Sequence, residues 1–163
     1  MCGHAAVDMP VINRKITSRE YDKVVNYIVD SGFENCYIQA TIVGKQEIDG
    51  YAGGFVGLSG DSNYYNCYAN VTVEASDSDD NLSVGGFIGS SYYNDGYLKN
   101  VAASATIKVA ARTVKAGSLI GNNRDYAHKN TYYDIDKYAT GIGASSNDAT
   151  TKGVKTTAFT NGT

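Results

Sequence analysis

The sequence predicts an all-β protein, in which a right-handed parallel β-solenoid-like stack of repeats carries an N-terminal capping α-helix. First, the 163 residues include 18 Gly and 14 Tyr but one Pro and no Trp, and glycine without proline is typical of short strands joined by tight bends. Second, a glycine-rich block recurs at a constant interval along the chain. Third, a helical pattern precedes the repeats. A two-layer antiparallel β-sandwich is the alternative architecture.

Residues 1–31 are predicted to form an N-terminal arm and the capping helix. The stretch from Thr17 to Glu20 matches a capping box. Apolar residues follow at helical spacing, and Gly32 then ends the pattern. Because the open end of a strand stack favours edge-to-edge association, we expect the helix to cover that end.

The glycine block appears three times, as AGGFVG, VGGFIG and AGSLIG. The glycines that open the three copies are Gly53 and Gly54, Gly85 and Gly86, and Gly117, and the step from Gly53 to Gly85 equals the step from Gly85 to Gly117. Glycine is needed where the backbone turns sharply or approaches a neighbouring strand closely. No Lys-Ser or Lys-Thr pair follows, so we assign these glycines a structural role rather than a phosphate-binding one.

A second block precedes each glycine block and reads ENCYIQATI, YNCYANVTV and KNVAASATI. Each copy has an asparagine near its start, at Asn35, Asn66 and Asn100. A side-chain amide at the entrance of a strand can satisfy turn backbone groups or stack as a ladder on its equivalents. We therefore predict a structural role for these asparagines.

Residues 32–140 are predicted to be the repeat domain, and residues 141–163 a tail that closes the array. A unit of about 32 residues cannot bury its apolar face alone, whereas stacked units share one core. Stacking aligns two apolar columns: Phe55 with Phe87 and Leu119, and Val56 with Ile88 and Ile120. Adjacent strand residues point to opposite faces, and the sequence does not decide which column faces the core.

The pairing of NCY with GGFVG or GGFIG resembles the GLUG repeat of bacterial surface and secreted proteins. The end of the chain, NTYYDIDKYATGIG followed by GVKTTAF, is similar to the segment that closes GLUG arrays, so the resemblance covers about residues 32–159. It implies a non-catalytic cell-surface or secreted binding or adhesion module. The implied location is extracellular or at the cell surface, although the opening MCGHAAVDMP does not read as a signal peptide.

A second resemblance concerns residues 12–39, INRKITSREYDKVVNYIVDSGFENCYIQ. This stretch looks like the C-terminal tail of radical-SAM enzymes of the pyruvate formate-lyase-activating type. The triple-cysteine motif that holds the iron–sulfur cluster in that family is absent from the sequence, so the activity is not implied. A fusion or an inactive remnant of such an enzyme is therefore one alternative function, and a structural spacer of a larger surface protein is another.

Several classes of site are not indicated. A net charge of −3 gives no basic surface for nucleic acid, and no apolar run is long enough for membrane insertion. We identify no catalytic residue and no cofactor site, so the chain is predicted not to be an enzyme. The acidic residues Asp77, Asp79 and Asp80 form a weak calcium candidate that lacks the spacing of an EF-hand, and a solvated loop is the simpler interpretation. The sequence does not indicate an oligomeric state.

Paired tyrosines are the candidate ligand-binding residues. Tyr64, Tyr65, Tyr92 and Tyr93 lie in segments that lead into successive strands. Tyrosine rings with a hydrogen-bonding tip suit a glycan or a cell-surface protein as partner. The alternative is that one tyrosine of each pair is part of the core while the other shields the edge.

Overall fold

The computed structural model describes residues 32–46, 50–77, 81–91, 96–111, 113–144 and 151–160, and the helix expected near residues 18–30 lies outside them. The described chain is mostly β, with one short helix at its end. Its elements are β1 (Gly32–Glu34), β2 (Tyr37–Gln46), β3 (Gly50–Gly53), β4 (Val56–Ser59), β5 (Asn63–Tyr65), β6 (Tyr68–Asp77), β7 (Asn81–Gly85), β8 (Ile88–Ser91), β9 (Tyr97–Ala110), β10 (Thr113–Gly117), β11 (Ile120–Asn122), β12 (Ala127–Asp134), β13 (Ile142–Ala144), β14 (Thr151–Val154) and α1 (Thr156–Thr160).

The strands form three parallel sheets. The seven-stranded sheet contains β1, β2, β5, β6, β9, β12 and β14, the three-stranded sheet has the order β3-β7-β10, and the four-stranded sheet has the order β4-β8-β11-β13. Every described strand pair is parallel. The predicted β-rich class is therefore confirmed, and the antiparallel pairing that the sandwich alternative requires is not observed among the described strands.

Equivalent residues of successive repeats pair with each other. In the three-stranded sheet, Gly53 pairs with Gly85, which pairs with Gly117. In the seven-stranded sheet, Thr72 pairs with the corresponding threonines of the two neighbouring strands. In the three-stranded sheet, the step in sequence between paired glycines therefore equals the period of the glycine block.

Both candidate apolar columns face the core. Phe87 and Ile88, which are consecutive in the chain, are each 0% exposed, and so are their equivalents Leu119 and Ile120. The reason is that a bend separates the strands at this point, since β7 ends at Gly85 and β8 begins at Ile88. Residues on either side of a bend no longer follow the alternation of a straight strand, so neighbours in sequence enter the same core.

Gly54 and Gly86 lie in these bends and are required there by close approach. A Cβ atom on Gly86 would meet the carbonyl oxygen of Ser118 and the methyl group of Ala105. A Cβ atom on Gly54 would meet the carbonyl oxygen of Gly86 and, at 2.7 Å, a methyl group of Val71. Neither backbone is left-handed, so the missing side chain itself is what allows successive bends to stack.

Two strands of the tail join the sheets. β13 pairs with β11 in the four-stranded sheet, and β14 pairs with β12 in the seven-stranded sheet. No helix among the described residues is long and apolar enough to cross a membrane.

Candidate functional site

Tyr64 lies in the core, not on a ligand-binding edge. Its side chain is 0% exposed, and its ring stacks on Phe33 with a centroid distance of 5.3 Å and an interplanar angle of 7°. Its hydroxyl lies 2.7 Å from Oγ of Ser59, which is 2.9 Å from the hydroxyl of Tyr126. Burial raises the pKa of Tyr64, and the hydrogen bond with Ser59 opposes that rise. The expectation that Tyr64 contacts a ligand is therefore contradicted, and the alternative of an inward tyrosine describes this residue.

Tyr65 points outward because adjacent residues of a strand alternate between faces. It is half-buried, and its ring meets the ring of Tyr97 in an edge-to-face arrangement with centroids 6.3 Å apart. In register, Glu34 of β1 pairs with Tyr65 of β5, which pairs with Lys99 of β9, which pairs with Lys129 of β12. We call Glu34, Tyr65, Tyr97, Lys99 and Lys129 the outer patch.

The outer patch combines two rings with charges of both signs. The side chains of Glu34, Lys99 and Lys129 are exposed, and that of Tyr97 is half-buried. Aromatic surface together with exposed ammonium and carboxylate groups can stack on a ring and hydrogen-bond its hydroxyl or acidic substituents.

A ladder of asparagine side chains lies next to the outer patch. Asn35, Asn66, Asn100 and Asn130 directly follow Glu34, Tyr65, Lys99 and Lys129 in the chain. Each has a left-handed backbone, with φ between 54° and 56°. Their amides form a continuous series, in which Nδ2 donates to Oδ1 of the preceding asparagine at 3.2, 2.8 and 3.1 Å. Of the two structural roles considered for these asparagines, the ladder is present, and it fixes the spacing of one row of the patch.

Sequence reasoning missed part of this site, although the repeats contain a signal for it. Two residues before Asn35, Asn66 and Asn100 stand Phe33, Tyr64 and Leu98. One residue before these asparagines stand Glu34, Tyr65 and Lys99. The companions of Tyr64 are the apolar Phe33 and Leu98, whereas those of Tyr65 are the charged Glu34 and Lys99. Comparing the repeats column by column therefore indicates that Tyr64 is the inward tyrosine.

Other sequence-predicted site residues lie outside the described chain. These are Tyr92, Tyr93, Asp79 and Asp80. Asp77 is the last residue of β6. Within the ranges that the structure describes, no group of three or more His, Cys, Asp or Glu side chains is placed to hold a metal ion.

A second aromatic row lies on the outward face of the seven-stranded sheet. Tyr37 of β2 stacks on Tyr68 of β6 with centroids 5.5 Å apart, and Tyr68 stacks on Phe159 of α1 at 5.8 Å. The register partner of Tyr68 on the next strand is Ala102, which has no ring. Burial raises the pKa of Tyr68, and a hydrogen bond with Ser104 opposes the rise. The row is therefore extended by the tail instead of by the third repeat.

The tail is fastened by the buried carboxylate of Asp134, which is 0% exposed. The hydroxyl groups of Ser104 and Thr156 donate to it, each at 2.8 Å, and the backbone N–H of Asp136 donates at 3.1 Å. In turn the backbone N–H of Thr156 donates to Oδ2 of Asp136 at 3.0 Å. The two halves of the closing segment, YYDID and GVKTTAF, thus meet at this point.

Comparisons with models of known families, with curated proteins and with solved structures find no match to this chain. The likeness to the GLUG repeat and to the radical-SAM tail therefore remains a prediction from the sequence.

Proposed function

We propose that the chain is a right-handed parallel β-solenoid built from repeats of about 32 residues, the length range of a single stacking unit. The support is the register, in which Thr41 pairs with Thr72, Thr72 with Thr106, and Gly53 with Gly85, each one repeat further along the chain. Each repeat contributes to all three sheets. The right hand is expected because crossovers between parallel strands are right-handed in nearly all proteins. An experimentally determined structure tests this directly, and a left-handed coil would refute it.

We further propose that this stack is a non-catalytic binding or adhesion module, secreted or displayed at a cell surface, whose partner is a glycan or a cell-surface protein. The observation that carries the proposal is the outer patch, in which Tyr65 and Tyr97 are accompanied by three exposed charged side chains. The asparagine ladder holds the backbone beneath these side chains, so binding does not have to order a loop. A pre-ordered surface loses less conformational entropy on binding.

The expected affinity of a single module is low. Aromatic contacts contribute about 1 kcal/mol per ring, so two rings supply about 2 kcal/mol, short of the roughly 4 kcal/mol that a millimolar complex requires. The charged groups of the patch and multivalent display must supply the remainder. A low affinity per module is compatible with adhesion, where many copies act together.

A glycan array tests the binding function when it is probed with the chain displayed on a multivalent carrier. We expect bound glycans to be lost in a Tyr65→Ala/Tyr97→Ala variant. They should be retained in Tyr51→Ala, since Tyr51 is a tyrosine of the three-stranded sheet that is 39% exposed. Thermal melts verify that both variants are folded. Binding that persists unchanged in the double variant would refute the role of the outer patch.

A structural spacer is the second candidate, and one observation favours it. The aromatic rings of Tyr64 and Phe159 make contacts within this chain, Tyr64 in the core and Phe159 in the outward row. A chain that binds nothing on glycan and cell-surface protein arrays, yet unfolds cooperatively, would support the spacer.

A further inference from the structure

We propose that the edge of β2 that has no partner among the described strands pairs with β2 of a second copy of this chain, giving a two-fold symmetric dimer, in place of the N-terminal helix that the sequence predicts at this end. Among the described strands, β2 pairs only with β6. Its other edge leaves ten residues of backbone without a strand partner in the described chain. This inference is independent of the proposed binding function.

Most of β2 lacks the common protections of a sheet edge. From Tyr37 to Gly44 the strand reads YIQATIVG, with no charged residue and no proline. Natural edge strands are usually kept from associating by lysine, proline, bulges or short length. On its outward face, Tyr37 is 57% exposed and Val43 is 74% exposed, so apolar surface is added to the unpaired backbone.

The inward face of β2 is also incompletely covered. Ile38, Ala40 and Ile42 are partly exposed. Their register partners one strand further in are Ala69, Val71 and Val73, which are 0%, 4% and 0% exposed. This difference in side-chain exposure is what the absence of one neighbouring strand would produce. A strand added at this edge would bury the three side chains of β2.

Size complementarity and the absence of like-charge repulsion point to a second copy as the occupant. If a two-fold axis passes through Thr41, antiparallel pairing places Ile38 opposite Gly44 and Ala40 opposite Ile42 of the other copy. Large side chains then face small ones along the inward face, on both sides of the axis. Because the stretch from Tyr37 to Gly44 is uncharged, the self-pairing brings no like charges together there. Two-fold pairing of identical surfaces is also the commonest route to a dimer.

Sedimentation velocity on the full chain tests the dimer, over protein concentrations up to about 100 µM, because the fraction of chains in a dimer rises with concentration. We expect a concentration-dependent monomer–dimer equilibrium. Thr41→Lys places two lysines opposite each other at the axis and should raise the dissociation constant at least about tenfold. The matched control is Thr106→Lys, at the equivalent outward position of β9, which should leave the equilibrium unchanged. Thermal melts establish that both variants are folded.

Cross-linking tests the position of the axis. In a Thr41→Cys variant, mild oxidation should give a dimer whose disulfide joins position 41 of one copy to position 41 of the other, identified by peptide mass spectrometry. A Thr106→Cys variant should give no such link.

Four outcomes overturn the proposal. One is a wild-type chain that remains monomeric over the whole concentration range. A second is a dimer that Thr41→Lys does not weaken. A third is open-ended filaments, which indicate head-to-tail contacts. The fourth is a monomer that dimerises only after residues 1–31 are deleted, which would show that the N-terminal segment of the same chain occupies the edge.

Discussion

The side-chain amide of Asn100 donates a hydrogen bond to Oδ1 of Asn66 at 2.8 Å, and both residues have a left-handed backbone, with φ of 56° and 54°. Asparagine is one of the few non-glycine residues that adopts this conformation readily. A single residue type therefore meets two requirements at each step of the ladder.

Replacement of Asn66 separates the contribution of the amide hydrogen bonds from that of the left-handed backbone. Asn66→Gly removes the amide hydrogen bonds but keeps the backbone unstrained, whereas Asn66→Ala also adds a left-handed penalty of about 1 kcal/mol. We expect the free energy of unfolding to fall in the order wild type, Asn66→Gly, Asn66→Ala, with a total loss of about 2 kcal/mol for alanine. Urea denaturation measures the order, and an alanine variant as stable as the glycine variant would contradict the backbone argument.

Substitution of Gly86 tests the close approach between successive bends. Gly86→Ala should lower the free energy of unfolding by about 3 kcal/mol or more, because its methyl group would overlap the backbone of Ser118 and the side chain of Ala105. Gly44→Ala is the matched control, since a Cβ atom there has no neighbour within 4 Å. It should be neutral or stabilising by up to about 1 kcal/mol. Equal effects at the two positions would show that the bends are not packed as described.

Thr156→Ala tests how the tail is fastened. The change removes a hydroxyl group that donates to the buried carboxylate of Asp134 at 2.8 Å, and should cost about 1–3 kcal/mol of stability. Thr156→Ser retains the hydroxyl group and should be close to wild type. Hydrogen exchange should show the alanine variant losing protection first in β14 and α1, and protection that is unchanged there would argue against this role.

Stability should decrease at alkaline pH. Burial raises the pKa of Tyr64 and of Tyr126, and their hydrogen bonds with Ser59 oppose the rise. The folded state therefore retains these protons more strongly than the unfolded state, whose tyrosines titrate near pH 10. The stability that the folded state gains by keeping Tyr64 and Tyr126 protonated is fully present below about pH 10 and is lost progressively above it. Urea denaturation as a function of pH measures this, and Tyr64→Phe should show a shallower decline. An identical decline in both proteins would contradict the assignment.

The repeat period makes much of the fold predictable from the sequence. Because equivalent residues must align, the blocks around Gly53, Gly85 and Gly117 indicate the correct strand neighbours. The bends are harder to foresee, since strict alternation allows only one of Phe87 and Ile88 to be inward whereas both are buried.

The candidate site is less predictable for two physical reasons. The alternation phase of Tyr64 and Tyr65 depends on where β5 begins, which a tyrosine pair alone does not reveal. The stacking of Phe159 on Tyr68 joins residues that are far apart in the chain and are not related by the repeat period. Phe159 of α1 stacks there, whereas the third repeat has Ala102 as the register partner of Tyr68. Contacts made by a non-repeating segment have no periodic signal.

The equivalence of Gly53 and Gly85 bears on how the length of this protein can change. They lie one unit apart and are directly paired, so deleting the segment between them joins two backbone positions with the same environment. The asparagine series and the apolar columns would then continue across the junction with one unit fewer, and a duplication would add a unit in the same way. Gain or loss of whole units by recombination is thus structurally permitted here, whereas an insertion of any other length within a strand would shift every column beyond it.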